Sequence, residues 1–351
     1  MKSASTPPRV SVIVVNYKSY EPLRLCLRSI LESDYPDYEV IVVDSLTQNI
    51  ESKVREEFND PRIKVIHFDT NIGASASHNI GALASDPRSK YLIFMDNDVI
   101  VTPSAISQLV KSMEERPHIG VLQAKVVSRS NNGRMDHTGL GLDVAGTWVT
   151  TYGHVAEAFS RPMEIFAASS AFMMTRRELY FEALGFDDTY FIYDDDTDYS
   201  WRVRLQGYAV AYEPRAIVYH EDKFENRLRY DKLYFGFRNR LLNVLKNLEA
   251  GNMIVSIMSI LFLAYLNILM LCLSLRGREA YAYLRATMNI LSTIPWRLTQ
   301  RKIVQRRRRV SDRVFFKKGL LRRDLLGTVI MLRALLARYF AENRSSNARG
   351  Q

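Results

Sequence analysis

The sequence predicts an α/β protein built on a doubly wound, mostly parallel sheet, followed by a helical region that is first apolar and then basic. Three observations predict this. Short β-branched runs alternate with stretches of helical spacing over the first hundred residues, the pattern of βαβ units. The runs are apolar on both faces, as strands buried between two helical layers must be. Residues 253–275 (MIVSIMSILFLAYLNILMLCLSL) then form 23 residues without a charge, ahead of a tail rich in arginine.

Each element follows from its own residues. Residues 9–15 (RVSVIVV) read as the first strand, ended by Asn16, Tyr17 and Lys18, and 21–31 continue with helical spacing. Residues 39–43 (EVIVV) are a second strand closed by Asp44, and 63–68 a third. A helix is expected over 74–84. Residues 91–95 (YLIFM) make a fourth strand, with Asp96 and Asp98 just past its carboxyl end, where open α/β sheets bind their ligands. From about Val121 the pattern loosens, with glycines at 133, 139, 141, 146 and 153. A hairpin near 147–152 and a strand over 167–175 are expected there. Helices over 177–184 and 197–207, a short strand over 216–220 and a long helix over 225–248 follow. The expected division is a globular domain over 1–248 and a membrane-associating region over 249–351.

At 351 residues and 47% hydrophobic content the chain can bury a real core. Its two cysteines, Cys26 and Cys272, make no disulfide framework, which suits a reducing compartment. The opening MKSASTPPRV has no apolar stretch of the signal-peptide kind, so the globular part is expected on the cytoplasmic side. Residues 276–351 hold 19 Lys and Arg against 4 Asp and Glu, a net of +15; the whole chain carries +10, leaving −5 for residues 1–275. Such a tail attracts nucleic acid or an anionic membrane surface.

The apolar stretch is long enough to cross a bilayer. Arg238, Arg240 and Lys246 precede it, and Arg276 and Arg278 follow it, so a lone span would set basic residues on both sides against the positive-inside rule. Four placements stay open: it dips in and returns, pairs with 280–296, lies along the interface, or is a buried soluble helix. Residues 324–340 read as an interfacial amphipathic helix. Nucleic-acid readers interleave aromatics with basic residues, and the basic stretch 301–323 offers Phe315 and Phe316. An anionic membrane is therefore the expected partner, and no nucleic acid; a polyanion-binding protein is the reading from a different class.

Acidic residues cluster where a nucleotide-dependent sheet enzyme needs them: Asp44, then Asp96 with Asp98, then Asp194, Asp195, Asp196 and Asp198. Two carboxylates around a divalent cation can hold a diphosphate. Singly each has a plainer explanation. A lone DxD is common in loops, Asp44 could cap a helix, and the 194–198 block could be an acidic helix start.

Together, in this order, the motifs resemble the family 2 glycosyltransferases of the inverting GT-A type, nearest the rhamnosyltransferase-like branch. The resemblance covers roughly residues 10–248. It is carried by VSVIVVNYKS (10–19), EVIVVDS (39–45), NIGASASHNIGA (71–82), YLIFMDNDVIV (91–101), FIYDDDTDYSWRVRLQGY (191–208) and RNRLL (238–242). It implies that Val14 and Asn16 line the base pocket and that Asp44 contacts the base. Asn71, Gly73 and Asn79 would shape the loop and helix beside the nucleotide, with Trp201 and Arg202 completing the second acidic motif. Asp96 would bind the ribose or the metal, Asp98 the metal, and His220 the metal or diphosphate; the ion would be Mg²⁺ or Mn²⁺. Asp196 would be the catalytic base, supported by Asp195, which stands where the family usually has Glu.

Two further stretches depart from the family, Ser45-Leu46-Thr47 after the second strand and Ala168-Ser169-Ser170 in place of a Gly-Ala acceptor motif. The implied activity is transfer of a sugar, rhamnose foremost, from a nucleotide-diphospho-sugar donor to a hydroxyl of a lipid-linked saccharide acceptor at the cytoplasmic membrane face. A sugar synthase acting on polyprenyl phosphate is the near alternative. A nucleotidyltransferase would need a glycine-rich, lysine-containing loop where this chain has NYKSYEP.

Overall fold

The computed structural model describes residues 7–130, 133–136, 138–221 and 229–330. The chain opens with β1 (Val10–Tyr17), α1 (Glu21–Leu31), β2 (Tyr38–Ser45), α2 (Ile50–Phe58), β3 (Ile63–Phe68), α3 (Ala74–Leu83) and β4 (Tyr91–Asp96). β5 (Val99–Val101), α4 (Ala105–Glu115), β6 (Ile119–Ser128), β7 (Gly139–Leu142), β8 (Trp148–Thr150), β9 (Met163–Glu164) and β10 (Phe172–Arg176) follow. Then come α5 (Arg177–Glu182), α6 (Asp195–Leu205), β11 (Ala209–His220) and α7 (Tyr230–Asn247). After them come α8 (Ala250–Leu273), α9 (Gly277–Ser292), α10 (Ile294–Arg306) and α11 (Asp312–Lys317).

The main sheet runs β3-β2-β1-β4-β10-β6-β11-β5, with β9 joined to β11. β1 to β4 are parallel, β10 is antiparallel to both β4 and β6, and β11 is parallel to β6. Alternation along β1 sends Val12 and Val14 into one core with residues of α1, α2 and α4. Ile13 faces the other, with residues of α3, α5 and α6. A third core joins Trp201, Leu241 and Leu248 to Ile260, Ala286, Val304 and Phe315, so one apolar cluster runs across the expected boundary at 248/249.

The first four expected strands are present within a residue or two. β6 is the strand that the pattern hides: Gln123 and Lys125 interrupt its apolar run, yet Gln123 is fully buried, donating to Thr138 Oγ1 at 3.2 Å and accepting from the Ser169 N–H at 3.0 Å. The expected strand over 167–175 is shorter, because 168–171 leave the sheet to serve the acidic groups described below. The hairpin is β7–β8, turning over Asp143 and Gly146. The long helix starts at Tyr230, and residues 225–228 of the expectation lie outside the described residues, as do 331–340 of the expected amphipathic helix.

Candidate active site

The carboxyl ends of β1, β2 and β3 set Asn16, Asp44 and His67 side by side in register. Asp44 is fully buried. Its Oδ1 accepts from Asn16 Nδ2 at 2.5 Å and Thr47 Oγ1 at 2.6 Å, and its Oδ2 from the Thr47 N–H at 3.1 Å, with His67 Nδ1 at 2.7 Å. The hydrogen bond to Asp44 raises the His67 pKa despite partial desolvation. Asn16 Oδ1 in turn accepts from Asn97 Nδ2, which ties this row to the Asp96–Asp98 turn. The departure Ser45-Leu46-Thr47 is thus used locally: Thr47 supplies two of the donors that hold Asp44.

Asp96 ends β4, Asp98 lies in the turn before β5, and antiparallel pairing of β5 with β11 brings His220 opposite Val99. Ligand atoms of Asp96, Asp98 and His220 lie within 4.8 Å of one another. His220 Nε2 is 3.1 Å from Asp98 Oδ1, and its Nδ1 is 2.5 Å from Asp136 Oδ2. Burial works against the imidazolium, but the hydrogen bonds to Asp136 and Asp98 outweigh it and push His220 up to about 11. Burial and then the Asp98 charge push the Asp96 carboxyl up. Asp136 is a site residue that sequence reasoning missed. It sits at 3% exposure beyond the end of β6, and no local pattern in NNGRMDHTG marks it. Residues 134–136 fold back on β6, where Met135 pairs with Val127 and the Asp136 N–H donates to the Val126 carbonyl at 3.0 Å, and the β6–β11 pairing sets Ser128 opposite His220.

The second acidic group sits on a strained turn at the start of α6. Phe191, Tyr193 and Asp194 all have positive φ, at 66°, 67° and 60°, each costing on the order of 1–3 kcal/mol for a residue with a Cβ. Asp196 Oδ2 accepts from the Ser170 N–H at 3.1 Å and Oδ1 from the Thr197 N–H at 2.7 Å. The next residue, Ala171, accepts from the Asp96 N–H at 3.3 Å, so one short loop holds both acidic groups. Burial, then Asp195, push Asp196 up to about 8; burial also pushes Asp194 up to about 6, even though Trp148 Nε1 donates to it at 3.3 Å. Asp195 is buried and accepts from Ser75 Oγ at 3.0 Å, and lies 3.9 Å from Nδ1 of the buried His78.

The structure brings Asn16, Asp96, Asp98, Asp195, Asp196 and His220 to one end of the sheet. Other expected residues are placed differently. Val14 is wholly inside the core beneath α1, one pleat short of Asn16, and lines no opening. Asp44 is covered, its oxygens already taken by protein donors, and Asn16 beside it is buried too, at 1% exposure. Gly73, at φ 84°, permits a close backbone approach, but to Phe191: a Cβ there would meet the Phe191 carbonyl oxygen at 2.6 Å. Asn71 Oδ1 accepts from the Gly73 N–H at 3.0 Å and fixes that turn. Asn79 is engaged within the protein, bonding the Phe186 backbone and the Tyr180 hydroxyl. Arg202 is buried on Asp198 at 2.8 Å and on the Ala183 and Gly185 carbonyls, and Trp201, 1% exposed, packs on Phe166. These last three are framework, because a helix start that carries buried carboxylates needs buried donors and a packed back face.

Residues 11–183 match the family described as glycosyl transferase family 2. The O-antigen biosynthesis protein RfbC of Myxococcus xanthus is 26% identical over 231 residues, which are 63% of this chain and 18% of that protein. The poly-beta-1,6-N-acetyl-D-glucosamine synthase of Staphylococcus epidermidis is 21% identical over 211 residues, 60% of this chain and 49% of that one. The chain therefore spans less than half the length of these relatives. Among solved structures, S. aureus TarS 1-349 in complex with UDP-GlcNAc superposes with a TM-score of 0.55 at 16% identity, covering 79% of each chain. GalNAc-T7 with UDP, GalNAc and Mn²⁺ gives 0.51 at 17% identity, covering 62% of this chain and 44% of that one. At these identities the structures share the fold, and the likeness to glycosyl transferase family 2 rests on the matched stretch, residues 11–183.

Proposed function

We propose that the protein is an inverting, divalent-cation-dependent glycosyltransferase of cell-surface polysaccharide or O-antigen synthesis. It moves a sugar from a nucleotide-diphospho-sugar to a hydroxyl of a lipid-linked saccharide at the cytoplasmic face of the membrane. The observation that carries this reading is the Asp96–Asp98–His220 group, joined through the 170–171 loop to Asp196, a carboxylate that burial raises to about 8. The donor set, two carboxylates and one imidazole, suits Mg²⁺ or Mn²⁺. When bound, the ion supplies positive charge against the departing diphosphate. Asp136 holds His220 by Nδ1 and leaves Nε2 facing Asp98.

Asp196 is the base. The acceptor oxygen bonds to the anomeric carbon as the bond from that carbon to the diphosphate breaks on the opposite face, and the hydroxyl proton passes to Asp196. A carboxyl raised to about 8 accepts that proton more readily than an ordinary aspartate. The nucleoside end of the donor lies over the row of Asn16, Asp44 and His67, with Asn97 beside it. The polysaccharide relatives and the donor-bound TarS fold support this reading.

The test is nucleoside diphosphate release by detergent-purified protein with Mg²⁺ or Mn²⁺. The donor panel includes thymidine-diphospho-rhamnose, which the sequence resemblance implies, and UDP-GlcNAc. A membrane lipid extract or polyprenyl phosphate serves as acceptor. Turnover of one donor, lost in Asp98→Ala and Asp196→Asn, supports the reading; no turnover with any donor overturns it.

A further inference from the structure

α8 raises a geometric question. Its 24 residues carry no charge, and at 1.5 Å each they extend about 36 Å, enough to cross a bilayer. Four of them are buried, Ser256, Ile260, Ala264 and Leu271. The outer side is apolar and open: Ile254, Met258, Phe262, Tyr265, Leu269 and Leu273 are 46–77% exposed. α9 continues that surface with Leu284, Met288 and Leu291.

The start of α8 is fastened through Asp312, and the chain that leaves its far end is fastened to the start of α7. At its start, buried Asp312 accepts from the Glu249 N–H at 2.8 Å and Asn252 Nδ2 at 2.9 Å, and Arg308 pairs with Asp312 at 3.0 Å. At its far end the chain turns into α9, where Arg278 lies 5.8 Å over the ring of Tyr230 and Arg285 Nη1 donates to the Tyr230 hydroxyl at 3.1 Å. Tyr230 is the first residue of α7. Further along, Tyr283 meets Phe237 at 5.0 Å, and in α10 Arg301 donates to the Leu245 and Leu248 carbonyls at 2.6 and 2.7 Å. α9 and α10 thus follow α7 from its first residue to its last, while α8 runs back beside them. α8 lies lengthwise on the flank of the catalytic unit.

A spanning α8 is incompatible with that arrangement. α7 would stand at the same depth, carrying Arg238, Arg240 and Lys246 and, bonded to it, the 190–198 turn with its carboxylates; charges there cost several kcal/mol each. Otherwise α9 would have to leave α7 and give up these contacts. The charge beside the apolar face fits a lipid surface. Residues 276–330 hold 15 Lys and Arg against three acidic residues, a net of +12. Arg322 and Arg323 line a cavity of about 220 Å³ with Val255 and Phe316 at the α8 start, where headgroups would lie.

We propose that α8 is a monotopic anchor: it lies in the plane of one anionic leaflet, apolar face inward, with both of its ends and the active site on the same side. This rests on the membrane reading above and fixes how the chain meets the bilayer.

The experiment uses the full chain in sealed inside-out and right-side-out membrane vesicles, probed with a membrane-impermeant maleimide. Ser274→Cys, in the turn after α8, is made in a Cys272→Ser background, where the remaining Cys26 is buried; Glu56→Cys in exposed α2 marks the catalytic side. The expected result is labelling of position 274 only where position 56 is labelled. Labelling from the opposite side alone shows a span, and labelling only after detergent shows a dip into the core; either overturns the proposal. A protein recovered in the soluble fraction instead overturns the membrane reading itself, and a soluble dimer by sedimentation assigns the apolar face to a second copy. As a second arm, Phe262→Glu with Leu269→Glu, both exposed, should lower the vesicle-bound fraction about tenfold or more while leaving donor hydrolysis in detergent unchanged. An unchanged bound fraction overturns the placement.

Discussion

Asp196 faces two demands that pull in opposite directions. As the proposed base it must lose its proton, and burial beside Asp195 makes that loss costly. kcat/KM is expected to rise with pH through a midpoint near 8 in the free enzyme and level off above it, read from a pH–rate profile at saturating metal. The same carboxyl titrates higher in the folded chain than in the unfolded one. Its contribution to stability is therefore full below the ordinary aspartate range and is lost as pH rises through about 8. Asp196→Asn should accordingly lower kcat about 10²–10⁴-fold and raise the melting temperature at pH 8. Asp136 acts one atom further out. Asp136→Asn should weaken Mn²⁺ binding about 10–100-fold by calorimetry, because the Nδ1 partner that orients His220 loses its charge.

At the scale of the element, α7 explains why a strained turn survives. Asn239 Nδ2 donates to the Tyr190, Ile192 and Tyr193 carbonyls at 3.2, 2.8 and 2.7 Å, and Arg238 Nη2 to the Thr189 and Tyr190 carbonyls at 2.7 and 2.8 Å. Lys246 sits between Asp187 and Asp198 at 2.7 and 2.9 Å. The resemblance picked out RNRLL at 238–242 as a string of letters; the structure gives its reason, a clamp on the turn that aims Asp195 and Asp196. Asn239→Ala should cost about 1–3 kcal/mol for each carbonyl left buried and unpaired, measured by urea unfolding. It should lower kcat more than it raises KM, since the base is misaimed while the metal group stays in place. His67, at the other end of the site, is bonded to Asp44 and escaped notice because a histidine ending a strand has no signature of its own.

At the scale of the whole molecule the residues after 248 are part of the support for the candidate active site. Arg301, Gln305 and Arg308 donate to the carbonyls of residues 245–248, the orphan acceptors at the end of α7. Ile260, Ala286, Val304 and Phe315 belong to the core that holds Trp201. A chain cut after Leu248 would expose that core and leave those carbonyls in need of partners. It should aggregate, or unfold without a cooperative transition by circular dichroism, and it should not turn over donor even with soluble acceptor. A stable, active 1–248 fragment would show that the two parts fold independently.

The first four strands, the helices between them and the position of Asp96 and Asp98 were legible in the sequence, because a buried parallel strand must be apolar on both faces and its carboxyl end must carry the polar groups. The apolar and basic character of the C-terminal region was equally plain. What only the tertiary structure decided is how these pieces meet. Asp136 reaches His220 through strand pairing across 84 residues of sequence. Asn79, Trp201 and Arg202 became framework because the elements packed on them consume their polar atoms or their surface. The course of α8 was set by the contacts of Asp312 with its start and of Tyr230 with α9 just after it, which no hydropathy pattern records. Periodicity is a local property and is written in neighbouring residues; the partner of a buried charge is chosen by the fold.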